Sequence, residues 1–271
     1  MEIKDLERAA ANVRITIVKA IHEAGSGHPG GSLSAADIVT ALYFDIMNID
    51  PQHPDMEGRD KFVLSKGHAN PALYAVLAER GYFPKEDVMT LRKLGSRFQG
   101  HPNMNLVPGV EMSTGSLGQG FSAAVGRALA YKLDKSSGRI YVLLGDGELE
   151  EGIVWEAAMA ANQYRLSNLT VFVDHNKLQI DGRNDSVMTV DPIPEKFESF
   201  GWKTMQIDGH DMRQIIDAAR KAENTDGPAA IICETIKGKG VSFMEDAAGW
   251  HGKAPDDEQF AQAMKELGGE E

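Results

Sequence analysis

The sequence has little cysteine, a deficit of positive charge and no long apolar run. Its 271 residues include one cysteine, Cys233, inside the apolar stretch 229–233, which excludes a disulfide framework and a cysteine-rich metal site. We expect Cys233 to be a buried strand thiol. Lys and Arg number 28 against 40 Asp and Glu, a net charge of −12 at pH 7. Nucleic acid and anionic membrane surfaces are therefore poor partners, and a phosphate would need a local binding device.

We expect neither a targeting segment nor a membrane-spanning segment in this sequence. The N-terminus 1–8 is charged, and no apolar run approaches the roughly 20 residues that a membrane span needs. We therefore expect a cytoplasmic protein. With 42% hydrophobic residues, the chain has enough apolar sequence for a sizeable core.

Short apolar runs alternate with helical patterns, which predicts a doubly wound, mostly parallel α/β sheet with helices on both faces. Apolar spacing predicts a first helix that stops at Gly25, and Ser34 is predicted to begin a second helix that runs to Ile46. The predicted strands are 61–64, 139–144, 169–173, 203–207 and 229–233, and the main helices among them are 121–133, 153–164 and 211–222.

No linker, repeat or low-complexity tract divides the chain, so we expect a single domain over residues 1–271. Residues 1–60 form its helical N-terminal segment, in which the polar stretch 48–60 is a connection. The charged residues 255–271 are expected to be a C-terminal tail that is either a short surface helix or partly disordered.

Two glycine patterns are candidate nucleotide sites. The Gly-x-Gly-x-x-Gly of residues 25–30 follows a helix rather than a strand, so its match to a dinucleotide fingerprint is spurious. The Gly-Asp-Gly of residues 145–147 does follow a strand, but the three carboxylates in 148–151 would repel a pyrophosphate. A bridging divalent cation reverses that argument, because Asp146 would then be a ligand.

Asp146 and Asn176 follow two consecutive predicted strands, one βαβ turn of chain apart. The carboxyl ends of parallel strands lie at the edge of the sheet where ligands bind. A carboxylate and an amide oxygen suit Mg²⁺, which completes its shell with phosphate oxygens and water. The alternative is that both residues are only turn and helix-cap residues.

Four of the eight histidines lie next to glycines on predicted loops, namely His28, His68, His101 and His251. Loop histidines converge on ligands more readily than those on helix faces, and imidazoles suit acid–base work or phosphate hydrogen bonds. Of the others, His22 and His53 are interpreted as structural, and His175 and His210 stay unassigned. No pair has the i, i+4 spacing of helical zinc ligands.

Two further loops have two open interpretations each. The loop 113–120, Ser-Thr-Gly-Ser-Leu-Gly-Gln-Gly, runs into a predicted helix, so its amides either face a ligand or serve tight helix–sheet packing. The sequence Lys-Gly-Lys-Gly of residues 237–240 is the one compact basic loop. It either complements phosphate charge or is a solvated turn.

Taken together, these motifs resemble the N-terminal half of transketolase, in order and over nearly the whole chain. Each motif is weak alone, but their joint occurrence is specific. The resemblance implies the thiamine diphosphate-binding fold, in which this half binds the cofactor's diphosphate. The motifs are Ser26-Gly-His-Pro-Gly-Gly, Ser65-Lys-Gly-His-Ala, Gly100-His-Pro, the loop 113–120, Gly145-Asp-Gly with Asp174-His-Asn, and Gly249-Trp-His-Gly.

The resemblance also implies roles for individual residues. Asp146, Asn176 and the backbone carbonyl of Leu178 would hold Mg²⁺, with Ca²⁺ or Mn²⁺ able to replace it. The implied catalytic residues, which line the channel for the sugar, are His28, His101 and His251. Glu151 and Glu156 match acidic residues at a subunit boundary. The residues implied to contact thiamine diphosphate are His68, Gly115, Ser116, Leu117, Gly147, Glu151, Asn176 and His251.

Single-chain transketolases continue into a pyrimidine-binding domain that supplies a glutamate to activate the cofactor, whereas this chain stops at Glu271. It therefore resembles the N-terminal subunit of a split transketolase, a transferase completed by a C-terminal subunit. The implied reaction moves a two-carbon ketol unit from a ketose phosphate to an aldose phosphate, by default in the pentose phosphate pathway. The implied assembly is a two-plus-two heterotetramer.

Two rival functions stay open at this point. The first is another thiamine diphosphate enzyme, such as a deoxyxylulose phosphate synthase or a keto-acid dehydrogenase component. The Gly-His-Pro sequences at both His28 and His101 fit transketolase better. The second rival is a non-catalytic nucleotide- or phosphate-binding scaffold, against which the retention of Asp146, Asn176 and the four loop histidines argues.

Overall fold

A five-stranded parallel sheet forms the centre of the computed structural model, which describes residues 1–269. The strand order is β1-β2-β3-β5-β4, and every neighbouring pair is parallel. All five predicted strands are present, with small shifts at their ends, and Cys233 is a buried free thiol as expected. The strands are β1 (Lys61–Leu64), β2 (Ile140–Gly145), β3 (Leu169–His175), β4 (Lys203–Asp208) and β5 (Ala229–Glu234).

Helices cover both faces of this sheet. None within residues 1–269 is both long and apolar enough to cross a membrane. The second helix continues into a π-helical turn, Leu42–Ile46. In chain order the helices are α1 (Ile3–Ala24), α2 (Pro29–Ala41), α3 (Asn70–Arg80), α4 (Lys85–Val88), α5 (Gln119–Leu133), α6 (Gly152–Gln163), α7 (Asn184–Val187), α8 (Ile193–Ser199), α9 (Met212–Ala222) and α10 (Asp257–Leu267).

Side chains of β1, β2, β3 and β5 alternate between two hydrophobic cores, whereas the edge strand β4 contacts one core through Met205 and Ile207. Phe62 and Leu64 of β1 pack into the core formed with α1, α2, α3 and α9, whereas Val63 packs into the core formed with α5, α6 and α8. Strand β3 is buried along its whole length. A parallel sheet covered on both faces requires such nearly continuous apolar strands. The predicted doubly wound α/β fold is confirmed.

The second helix begins earlier than the sequence predicted. It starts at Pro29, because the fixed φ of proline suits the first helical position and its missing N–H needs no partner there. Ser34 lies inside α2, and its hydroxyl donates to Asp174 Oδ2 at 2.5 Å. The prediction that Ser34 begins the helix was therefore wrong. The glycine-rich segment 25–30 follows α1, as expected for a spurious dinucleotide pattern.

Most of the predicted C-terminal tail folds as a capped helix, α10. Gln259 N–H donates to Asp256 Oδ1 at 2.9 Å, and Asp256 N–H donates to Gln259 Oε1 at 3.1 Å, which forms a capping box. Met264 is buried in the core that contains α1. His22 on α1 stacks on Phe260 with 4.1 Å between ring centroids, consistent with a structural histidine. The last two residues of the predicted tail lie outside the described residues.

Candidate functional site

A cavity of about 360 Å³ opens at the carboxyl edge of the sheet. Its walls come from the ends of β2 and β3, the turn after β1, the start of α2, and the loops 113–120 and 235–252. This is the edge at which ligands bind in doubly wound folds. Ten of the twelve predicted site residues line it: His28, His68, Gly115, Leu117, Asp146, Gly147, Glu151, Asn176, Leu178 and His251.

The other two predicted residues, His101 and Ser116, lie outside this lining. A Cβ placed on Gly115 would be 3.1 Å from His101 Cδ2, so His101 borders the cavity wall. Burial and the nearby charge of Arg92 lower the pKa of His101. Ser116 is exposed, and its contact with a cofactor stays a prediction.

Three of the loop histidines form one cluster in the cavity. The distances between ring centroids are 5.2 Å for His28 and His68, 5.4 Å for His28 and His251, and 5.1 Å for His68 and His251. Burial is the main reason that their pKa values fall to about 4 for His28, about 2 for His68 and about 3 for His251. All three are therefore neutral at pH 7, and each offers one donor and one acceptor nitrogen.

Two buried lysines bring positive charge to the cavity. Lys66 Nζ donates to Gly31 O at 2.9 Å and forms an ion pair with Asp174. Lys237 Nζ donates to Leu178 O at 3.2 Å. Burial lowers the pKa of Lys237 to about 8. The basic loop 237–240 is therefore not simply a solvated turn.

Neither lysine was singled out as a site residue from the sequence. Lys66 and Lys237 are each only 2% exposed, although lysine is among the residue types most often found at the surface. The signals that were present are the position of Lys66 beside His68 and the compact basic loop that contains Lys237. Neither signal shows which lysines face inward.

Asp146 and Asn176 lie together at the ends of adjacent parallel strands, as predicted. The backbone N–H groups of Gly147 and Lys177 donate to the Asp146 carboxylate at 2.8 and 2.5 Å. Burial, followed by the charge of Asp174, raises the pKa of Asp146 to about 6. Asp146 thus makes the turn and cap hydrogen bonds that the sequence left open as an alternative to metal binding. A carboxylate has about four lone-pair sites, so two sites of Asp146 remain for another ligand.

A divalent cation fits the chemistry of this corner. Asp146 offers a buried carboxylate. The amide oxygen of Asn176 accepts from Leu178 N–H at 3.1 Å and the carbonyl of Leu178 accepts from Lys237 Nζ at 3.2 Å, which leaves each oxygen one further lone pair for a cation. Within residues 1–269, no three His, Cys, Asp or Glu side chains are grouped so that they could hold a metal. A cation here therefore needs further donors, a requirement met by Mg²⁺ with phosphate oxygens and water.

Glu148 connects three segments of the cavity wall. Its Oε1 accepts hydrogen bonds from Ser65 Oγ at 2.5 Å and Gly118 N at 2.8 Å, and its Oε2 accepts one from Gly145 N at 3.0 Å. Burial outweighs these bonds and raises the pKa of Glu148. One of the three carboxylates expected to repel a pyrophosphate is therefore already engaged by the protein.

The structure confirms the packing role of the loop 113–120, and contact of its amides with a ligand stays a prediction. Gly118 and Gly120 serve packing, since a Cβ on Gly120 would lie 2.8 Å from Ser65 Cα. Gly115 and Leu117 instead line the cavity. Small residues in one loop thus allow close helix–strand contact and leave space for a ligand.

We expect Glu148→Gln to lower the free energy of unfolding by about 2–4 kcal/mol, because glutamine keeps one acceptor oxygen for three buried donors. Denaturant unfolding of the full chain measures this change. The matched control is Glu150→Gln, an exposed carboxylate bonded to Gln179, for which we expect a change within about 0.5 kcal/mol. Equal stability of the two variants would contradict the prediction.

Comparisons with known proteins agree with the family that the motifs indicate. The family model described as transketolase, thiamine diphosphate binding domain, matches residues 6–271. One subunit of the 6-deoxy-6-sulfo-D-fructose transketolase of Clostridium sp. (strain MSTE9) is 46% identical over 264 residues, which cover 97% of this chain and 96% of that protein. One subunit of the apulose-4-phosphate transketolase of Phocaeicola vulgatus is 43% identical over 268 residues, covering 98% of this chain and 95% of that protein.

Solved structures of transketolases share the fold of this chain. The crystal structure of transketolase from Campylobacter jejuni aligns with a TM-score of 0.94 at 33% identity, over 100% of this chain and 44% of that chain. The chain thus spans less than half of that transketolase but nearly all of the two subunit relatives. The resemblance and the fold class are confirmed. This chain belongs to the transketolase family and corresponds to its thiamine diphosphate-binding domain.

Proposed function

We propose that this chain, as a single domain, is the N-terminal subunit of a two-chain transketolase that requires thiamine diphosphate and Mg²⁺. The observation that carries the proposal is the cavity, which gathers the oxygen donors of Asp146, Asn176 and Leu178 beside the histidine cluster. Two relatives of matching length are named as transketolase subunits. Those names support a partner chain, which would be the C-terminal subunit.

The inner part of the cavity would hold the cofactor's diphosphate. Asp146, Asn176 and the carbonyl of Leu178 would bind Mg²⁺, and Ca²⁺ or Mn²⁺ would serve as substitutes. The positive charges of Lys66 and Lys237 would neutralise part of the negative charge of the diphosphate. The other residues expected to contact the cofactor are His68, Gly115, Ser116, Leu117, Gly147, Glu151 and His251. When bound, thiamine diphosphate supplies the electron sink for carbon–carbon cleavage.

The chain's own contribution to the reaction would be proton transfer and orientation of the sugar. His28 is neutral at pH 7, so it can accept a proton from a sugar hydroxyl on one nitrogen and donate from the other. His251 accepts from the Lys237 ammonium on Nδ1, so its Nε2–H would donate to a sugar oxygen. No group in the described part of the chain hydrogen-bonds the buried Nδ1 of His28. His101, at the border of the cavity, would hold a further hydroxyl. A proton taken from the ketose would return to the new ketose oxygen after transfer.

The substrates of this proposal are a ketose phosphate and an aldose phosphate. By their names, two relatives use a sulfo-sugar and apulose 4-phosphate, so unusual anionic sugars belong in the assay beside those of the pentose phosphate pathway. We further propose a two-plus-two heterotetramer in the cytoplasm. Both subunit relatives are transketolases rather than deoxyxylulose phosphate synthases, which favours ketol transfer over the rivals.

Two histidine variants of the assembled enzyme test this function. His68→Ala is expected to weaken thiamine diphosphate binding about tenfold or more, because it removes a group assigned to the diphosphate. His101→Ala is expected to lower kcat/KM for the sugar about 10–100-fold at saturating cofactor, since His101 is assigned to the substrate. Cofactor titration and steady-state kinetics separate the two effects.

The reverse pattern would contradict the two assignments. His53→Ala provides a matched control, because His53 is exposed, contacts Asp50 and is not part of the cavity lining. It is expected to leave both constants unchanged. A wild-type assembly that binds the cofactor and transfers no ketol unit to any sugar would contradict the function itself.

A further inference from the structure

A buried polar network outside the cavity connects α1, α2 and the turn after β4. Its centre is Asp37 on α2, which is 6% exposed. Arg14 of α1 donates to both carboxylate oxygens, from Nη1 to Oδ1 at 3.0 Å and from Nη2 to Oδ2 at 2.6 Å. His210, in the turn between β4 and α9, places Nδ1 2.7 Å from Asp37 Oδ2. One carboxylate therefore holds two side chains from distant parts of the chain.

These two side chains bind the backbone on either side of Lys237. Ile236 N–H donates to His210 Nε2 at 2.9 Å, and Arg14 Nε donates to the Lys239 carbonyl at 3.1 Å. Because His210 accepts at Nε2, its proton lies on Nδ1, from which it donates to the carboxylate. The two contacts together select one neutral tautomer.

Lys237 is closely packed against Gly30 at the start of α2. A Cβ on Gly30 would lie 2.9 Å from Lys237 Cγ, and Gly238 N–H donates to Gly30 O at 3.0 Å. The buried ammonium has its partners in the Leu178 carbonyl and His251, whose Nδ1 is 3.0 Å away. A buried cation is costly when it loses such partners, so the backbone beside it has to be held in place.

The charge of Asp37 supports this arrangement. Burial opposes its ionisation, but the hydrogen bond from His210 and the charge of Arg14 outweigh burial and lower the pKa of Asp37. The carboxylate is therefore ionised at neutral pH and can accept from both partners at once. Thr235, two residues before Lys237, is held separately, because its hydroxyl donates a hydrogen bond to the Asp174 carboxylate.

We propose that Arg14, Asp37 and His210 are positioning residues that hold the segment 235–239 so that the Lys237 ammonium faces the bound diphosphate. The inference rests on the proposed function. None of the three residues lines the cavity, so they act on the cofactor through Lys237. Their loss is expected to change cofactor affinity more than turnover.

Two substitutions of His210 separate positioning from a general role in stability. His210→Gln places a carbonyl oxygen near the Nε2 position and keeps an acceptor for Ile236 N–H. His210→Asn places an amide N–H near the Nδ1 position, which keeps a donor for Asp37 and leaves Ile236 N–H without its acceptor. After assembly with the C-terminal subunit, both variants are titrated with thiamine diphosphate in Mg²⁺, and the full chain alone is titrated with inorganic pyrophosphate.

We expect His210→Asn to weaken thiamine diphosphate and pyrophosphate binding about tenfold, with kcat at saturating cofactor within about twofold of wild type. His210→Gln is expected to restore most of the affinity. In a Lys237→Met background, His210→Asn is expected to add little, because the group it positions is already gone. Denaturant unfolding records the stability of each variant.

Three outcomes would overturn the inference. They are equal affinity losses for His210→Gln and His210→Asn, an unchanged affinity in a folded but destabilised His210→Asn, and additive losses in the double variant with Lys237→Met. A wild-type assembly that binds thiamine diphosphate without ketol transfer overturns only the proposed function, because the affinity ratios of the variants still decide the positioning role.

Discussion

Residues 1–271 purified alone, with thiamine diphosphate and Mg²⁺, are expected to show no measurable ketol transfer, and addition of the cognate C-terminal subunit is expected to create it. The cavity in this chain is open to one side. Ile180 lines it and is still 69% exposed. Catalysis of this kind needs a site that excludes water and aligns both reactants. An open cavity provides only part of such a site.

The size of this effect makes it the sharpest test of the split enzyme. We expect activity to rise about 10³-fold or more on mixing, together with tight cofactor binding. A coupled assay of ketol transfer and calorimetric titration of the cofactor, each at increasing amounts of the second subunit, measure both quantities. Full activity of the isolated chain would contradict the two-chain proposal. If a mixture with a proven cognate partner shows no ketol transfer, the result would favour the function as a non-catalytic scaffold.

Asp146→Ala is expected to weaken Mg²⁺-dependent binding of thiamine diphosphate by about 100-fold or more, equivalent to about 3 kcal/mol. Asp146 is the one charged donor beside the amide of Asn176 and the carbonyl of Leu178, so its loss leaves two neutral ligands for a divalent cation. The carboxylate is buried, and burial with the charge of Asp174 raises the pKa of Asp146 to about 6. Alanine removes a buried charge but leaves the N–H groups of Gly147 and Lys177 without their acceptor, so we expect the variant to be less stable and still folded.

The measurement is calorimetric titration of the assembled enzyme at fixed Mg²⁺, with denaturant unfolding to establish that the variant is folded. Asp185→Ala is the matched control, because Asp185 is an exposed carboxylate on α7 and is not part of the cavity lining. Its cofactor affinity is expected to equal that of wild type. Near-normal affinity in Asp146→Ala would rule out the cation assignment.

The sequence by itself determined the elements of the fold and most of the cavity. Strands covered on both faces have to be apolar along their length, so β2 and β3 were predictable from their apolar runs. Asp146 and Asn176 could be placed together because parallel strands end at the same edge of a sheet. The motifs around His28, His68 and His251 then completed the resemblance to transketolase.

Only the tertiary structure decided which polar side chains are buried and what they contact. Glu148 and Lys237 belong to residue types that usually lie at the surface, and they are buried here because distant segments supply their partners. His210 could not be assigned from its neighbours, since its contacts are with Asp37 and Ile236. Such contacts depend on how α2, β4 and β5 pack against one another, and a local sequence pattern does not contain that information.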